Sequence, residues 1–229
     1  MRLFYCFLFF ICLPKCQNYQ LTCFGFHTTD IKQKIYHSKR IDFEIQNRGL
    51  MDIIWPAHNK YITYFDSSTF FLKSWEKNIN QGTYKNSLNA KIDSSQYMLY
   101  NNNQIFKINN PLHTIFTLLA MVQSLSSKSI DTKWFNYEHQ GRIGKARFLW
   151  ADSTMVWNGK DSILCDHYRM DINIKDSTHT IKTTKDYFMD NIYHSIYVKE
   201  LWVMRNKKRL IVKASAKSPW VTFIARLND

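Results

Sequence analysis

A mainly β fold is expected: a single curved antiparallel sheet, a half-barrel or open barrel, with one central α-helix packed against its concave face. Three observations lead there. Apolar and polar residues alternate with period two through most of the chain beyond residue 40, the pattern of strands with one wet face. Helical spacing occurs in one segment, between Asn110 and Leu125. No internal repeat, low-complexity linker or break in composition divides the chain, so about ten strands and the helix share one core.

The clearest strand is "RIDFEIQ", where Ile41, Phe43 and Ile45 alternate with Asp42, Glu44 and Gln46. "RGLMDIIWPAHNKYITYF" continues extended through Gly49, with Pro56 at an edge or turn because proline donates no ladder bond. "TFFLKSWEKNI" and "TYKNSLNAKID" form a pair around Asn80, Gln81 and Gly82, with Tyr84, Leu88, Ala90 and Ile92 on one face. "QYMLYNNNQIFKI" is a hairpin turning at Asn101 to Asn103, since asparagine tolerates positive φ. The helix has Asn110 as N-cap, Pro111 at its first position and an apolar body from Leu112 to Leu125, about four turns. Strands resume with "KWFNYEHQ", "ARFLWA" and "TMVWNGKDSILCDHYRMDINI", the last folded at Asn158-Gly159. A looser passage, "KDSTHTIKTTKDYFMDN", leads to "SIYVKELWVM", "KKRLIVKASA" and "PWVTFIARL".

Ahead of these strands the chain has two zones. Leu3 to Leu13 is apolar and uncharged behind Arg2, too short to span a bilayer, which needs about 20 residues, but long enough for an export signal. The expected division is a signal peptide over 1–25, cut near Gly25, and a single β-rich domain over 26–229. A lipidated Cys16 or Cys23 is the alternative, although Lys15 and Thr22 precede them where a lipoprotein signal has a small residue. A retained anchor is the third reading. The protein is therefore expected in the periplasm or cell envelope, either free or held by an N-terminal lipid. "HTTDIKQKIYHSK" reads as a polar lead, mobile or loosely docked. Cys6 and Cys12 leave with the signal, and no disulfide framework remains. Cys165 is then a small buried hydrophobe.

The formal charge of +13 invites a nucleic-acid reading. Yet lysines and arginines are scattered over alternating strands without a basic tail or binding motif, so no nucleic-acid partner is expected. The densest cluster, Arg205, Asn206, Lys207, Lys208 and Arg209, reads as a solvated hairpin turn. An anionic membrane surface is its functional alternative, at about 1 kcal/mol per cation.

The order of these pieces resembles a family of exported bacterial proteins known as domain of unknown function 3108. The likeness covers most of the chain beyond about residue 38. It rests on "IDFEIQNRGLMDIIWP", then on Tyr64 to Asp66 before a strand, the turn at Gly82 and a strand ending in Asp93. The Asn-Pro-Leu helix start and the closing "ELWVMRNKKRLIVKASAKSPWVTFIARL" complete it. The family's helix usually carries an acidic residue, a serine and aromatic or arginine positions, and "NPLHTIFTLLAMVQ" departs from that pattern. The resemblance implies an envelope protein similar in outline to lipoprotein-carrier half-barrels, and it carries over no catalytic residue.

Chemistry is sparse in the pattern. No pair of histidines has the His-Glu-x-x-His spacing, and His113 reads as a packed or capping residue, so neither metal nor cofactor is expected. Cys165 and His167 share a strand face, but no orienting group or oxyanion donor accompanies them. "GRIGK" lacks the spacing of a phosphate loop, and Asp42, Glu44, Asp66 and Asp93 read as the wet face of the sheet. Seven tryptophans are spread over the strands, mostly as core. A groove between sheet and helix would suit an acyl chain, with Phe116, Leu119, Trp150 and Trp157 as candidate lining residues. The expected function is non-catalytic binding of an apolar ligand or lipidated partner. The alternatives are a structural or interaction protein with a packed interior, and a hydrolase of unrecognised type.

Overall fold

The alternation in the sequence is realised as strands that pair with their chain neighbours. A computed structural model describes residues 14–37, 39–101, 103–174, 186–194 and 196–228, which hold one antiparallel sheet of fourteen strands. β1 (Lys15–Cys23), β2 (Phe26–Tyr36) and β3 (Arg40–Asn47) lead through α1 (Leu50–Ile54) to β4 (His58–Phe65), β5 (Leu72–Gln81) and β6 (Tyr84–Ile92). β7 (Tyr97–Tyr100) and β8 (Asn103–Lys107) precede two short helices, α2 (Ile115–Val122) and α3 (Ser127–Ile130). β9 (Trp134–His139), β10 (Arg142–Trp157) and β11 (Ser162–Ile174) come next. α4 (Tyr187–Tyr193), β12 (Val198–Met204), β13 (Ile211–Lys217) and β14 (Thr222–Leu227) end the chain.

Across the sheet the order is β8-β7-β6-β5-β4-β3-β2-β1-β14-β13-β12-β11-β10-β9. Two meanders, β1 to β8 and β9 to β14, are joined through one long-range pairing, with Tyr19 opposite Leu227 and Cys23 opposite Phe223. The sheet is unclosed, and β8 and β9 are its ends. An extended pair of residues ahead of α2 bridges part of the gap. The Leu72 amide of β5 donates to the Leu112 carbonyl at 2.8 Å. His113 exchanges backbone bonds with Asn136 and Glu138 of β9 at 2.9 and 2.8 Å.

That stitch corrects the expected helix. Backbone bonds to two strands hold Leu112 and His113 extended, so the helix starts at Ile115 and runs eight residues rather than four turns. Thr114, not Asn110, is the N-cap, in a reciprocal capping box with Thr117. The single helix is corrected too, since four short ones occur among the described residues. α1 replaces an expected extended run because Gly49, at φ 57°, turns the chain out of β3. Asp186 caps α4 by accepting from the Met189 amide, while residues 175–185 of the looser passage lie outside the described ones.

The polar lead is a further correction. Residues 27–36 belong to β2, paired with β1 on one side and β3 on the other. Its inward positions include Thr29 and Gln33 beside Ile35, and the two polar ones hid the alternation. Gln33 and Gln17 of β1 both donate to the Gln123 side chain at the end of α2. Lys15–Cys23, counted with the leader in the sequence reading, forms β1, so a boundary at residue 25 falls in the turn between two paired strands. The expected turns at Asn101, with φ 46°, and at Asn158-Gly159 form as read.

Strands of both meanders and α2 share one hydrophobic cluster. Leu118 and Val122 of α2 are fully buried with Ile41, Phe148 and Tyr168 of the sheet. Each such side chain contributes about 1.5–3 kcal/mol by leaving water. Phe116 meets the rings of Phe43 and Tyr61 at 4.9 and 5.3 Å.

Candidate functional site

Inside the sheet, one group of strand residues departs from hydrocarbon. Alternation turns Asn59, Tyr61 and Thr63 of β4 inward, and likewise Trp75, Lys77 and Gln81 of β5. β9 adds Tyr137, Glu138 and His139, and the α4 cap adds Asp186, all buried. The Asp186 carboxylate organises the first part. It accepts from the Tyr61 hydroxyl at 2.8 Å and from the Lys77 ammonium at 3.3 Å, while Asn59 donates to Tyr61 at 3.2 Å. Glu138 organises the second. It accepts from the Trp75 indole at 3.0 Å, from the Gly141 amide at 2.9 Å and from the Tyr100 hydroxyl of β7.

Burial sets the protonation here. It lowers the Lys77 ammonium, against the opposing pull of Asp186, and raises the Glu138 carboxyl against its three donors. Tyr61 is held well above the usual phenol range by burial and the Asp186 charge. His139 is pushed down to about 3 by burial and by the Lys77 and Arg142 charges, so it is neutral at physiological pH.

These groups border a cavity of about 40 Å³, lined by Tyr61, Thr63, Lys77, Phe116, Tyr137 and His139 among others. A water needs roughly 10–15 Å³ of such space, so the cavity suits one to a few waters and no acyl chain. Three buried atoms along the wall, Thr63 Oγ1, Tyr137 Oη and His139 Nε2, find no partner among the described residues. One ordered water there would satisfy two or three of them.

The candidate lining residues are not gathered in one place. Phe116 lines this cavity, and Leu119 packs partly buried on the core. Trp150 and Trp157 lie on β10, 41% and 61% exposed. Reasoning from the sequence missed Tyr61, Lys77, Glu138, His139 and Asp186. One signal was present: Lys77 is in phase with Trp75 and Ile79, a charge on an apolar face.

The other candidates have structural partners. Cys165 is buried, its thiol pushed up to about 11 by burial and by Asp166. His167 stacks on Trp202 at 4.5 Å and lies 3.3 Å from both Asp152 and Glu200. His113 is packed, as expected, between Phe71 and Phe135. Arg205 and Arg209 of the basic turn pair with Asp166 at 3.1 and 3.6 Å, leaving Lys207 and Lys208 as its outward cations. Asp42 is not on a wet face, as it is nearly buried and clamped by Arg40 through two 2.7 Å bonds. Asp66 and Asp93 cap turns.

No family model matches the chain, and no curated protein matches it. A solved structure does: a crystal structure of a beta-barrel-like protein of domain of unknown function DUF1849 from Brucella abortus. The TM-score is 0.57 at 8% identity, over 95% of this chain and 96% of that one. At that identity the likeness is one of fold. It supports a β-barrel-like fold, but not the 3108 family in particular. Meander hairpins and amphipathic strands, which carried that resemblance, recur in any curved antiparallel sheet.

Proposed function

We propose that this is an exported cell-envelope protein of β-barrel-like form whose interior is packed and whose surface does its work. The observation that carries the reading is the interior itself: a cavity of only about 40 Å³ beneath a helix with fully buried Leu118 and Val122. An acyl-chain site would need several hundred cubic ångströms of apolar concavity.

Export rests on the apolar run Leu3 to Leu13 behind Arg2. β1 refines where the leader ends. A cut at Gly25 would remove the strand that links β2 to β14, which favours processing at or before Cys16. Lipidation at Cys16, which is exposed, keeps β1 almost whole, whereas lipidation at Cys23 would discard it.

Native mass spectrometry of protein purified from its own envelope, followed by lipid extraction, tests both parts. Lipid-free protein with a mature N-terminus at or before Cys16 is expected. Stoichiometric internal lipid would overturn the packed-interior reading in favour of an apolar-ligand carrier. An N-terminus beyond Cys23 would overturn the placement of the cut.

A further inference from the structure

Large apolar side chains in the open line one end of the sheet, apart from a second group, Met155, Trp157 and Leu164, on the β10–β11 hairpin. The β1–β2 turn presents Phe24 and Phe26, 74% and 75% exposed, and the β13–β14 turn presents Trp220, 82% exposed. Register places these turns side by side, since Cys23 pairs with both Phe26 and Phe223, and Lys217 pairs with Thr222. The same rim continues on either side. Asn47 at the end of β3 lies opposite Thr29, and α1 follows with Leu50, Ile53 and Ile54 exposed. In the other direction Val198, exposed at the start of β12, lies opposite Lys217. A rim of exposed apolar side chains of this kind marks an interaction site.

Charge says which kind. Between the two aromatic turns lies a groove of about 370 Å³, lined by Phe24, Lys217, Pro219, Trp220, Ile224 and Arg226 among others. Among the described residues its lining contains two cations and no carboxylate. Aromatic tips beside cations match the boundary of an anionic bilayer, where rings enter the headgroup–acyl layer and lysine or arginine meets phosphate.

We infer that this rim docks on an anionic lipid bilayer, with Phe24, Phe26 and Trp220 entering the interface and Lys217 and Arg226 holding a headgroup phosphate. The inference rests on the reading that the surface, not the interior, acts. It differs from contact through the Arg205 to Arg209 turn, where Arg205 and Arg209 are already paired with Asp166.

The test is co-sedimentation of the purified protein with phosphatidylcholine vesicles, with and without phosphatidylglycerol. It is read together with the tryptophan emission of wild type and Trp220→Ser. Binding that requires the anionic lipid and weakens with salt is expected, with a blue shift missing from the variant. Phe24→Ser, Phe26→Ser and Trp220→Ser together should weaken binding roughly tenfold or more at unchanged melting temperature, since they replace exposed rings. Lys217→Gln with Arg226→Gln should remove the preference for the anionic lipid. No binding by wild type, or equal binding by the triple variant, would overturn the proposal. So would a wild-type dimer that the triple variant breaks without any vesicle binding, which would make the rim a self-association face. Internal lipid seen by native mass spectrometry in wild type and triple variant alike would defeat the packed interior while leaving the vesicle result standing.

Discussion

His139 is enclosed near the Lys77 and Arg142 charges, with the Tyr193 ring 4.3 Å away, and its imidazole is held down at about 3. An unfolded histidine titrates near 6.5. Between those values the unfolded chain takes up a proton that the folded chain refuses, so stability falls as pH drops through this window. From pH 7 to pH 5 the loss from this residue is about 2 kcal/mol. Urea denaturation at the two pH values should show it, and His139→Phe should flatten the difference; an unchanged slope in the variant would refute the assignment. His113, also lowered by burial, leaves part of the acid sensitivity in place. The Lys77–Asp186 pair makes a second prediction. Lys77→Met strands a buried carboxylate and should cost about 3 kcal/mol or more. Adding Asp186→Asn should cost less than the sum of the single changes, measured as a double-mutant cycle in urea. These residues were hard to read because their partners are remote in sequence, Asp186 lying on a helix cap and Lys77 in a strand. Cys165, whose only demand is burial, was readable from its apolar setting.

At the scale of elements, legibility followed the chemistry of the inward face. β3, with Ile41, Phe43 and Ile45 buried, and β5, with Trp75 and Ile79, show their period directly. β1 and β2 do not, because Gln17, Thr29 and Gln33 face inward and are satisfied by Gln123 and Asn47. No local rule reads such a strand, since its polar partners sit elsewhere in the chain. The helix was found by its spacing, but its start was misplaced because tertiary backbone bonds to β5 and β9 overrode the local signal at Pro111. The status of β1 yields a prediction at this scale. A chain beginning at Phe26 leaves the facing edges of β2 and β14 bare, and should aggregate or remain expanded on size exclusion. A chain beginning at Pro14 should elute as a folded species with near-ultraviolet dichroism. Equal folding of the two would show β1 to be dispensable.

For the whole molecule, the antiparallel β architecture was evident from alternation, while the count of strands and the way they join were not. Fourteen strands replace about ten chiefly because β1 was counted with the leader and β2 carried no clean period. The pairing of β1 with β14 had no local signature at all, since it joins residues at opposite ends of the described chain. That pairing has a kinetic consequence. The two meanders are built from neighbouring strands, so their hairpins close short loops, whereas β1 reaches β14 only after the full chain is ordered between them. The Asn228 amide already donates to the Asn18 carbonyl at 2.8 Å, which brings the strand ends within reach of a short linker. A circular permutant joining Asp229 to Lys15 through glycine and serine, and opened at the exposed Gly159–Lys160 tip, would turn the long-range pair into a hairpin. Such a permutant should keep the far-ultraviolet dichroism of the parent and refold faster in stopped-flow dilution from urea. Slower refolding of an equally stable permutant would mean that the β10–β11 hairpin, and not the closing of β1 on β14, limits the rate.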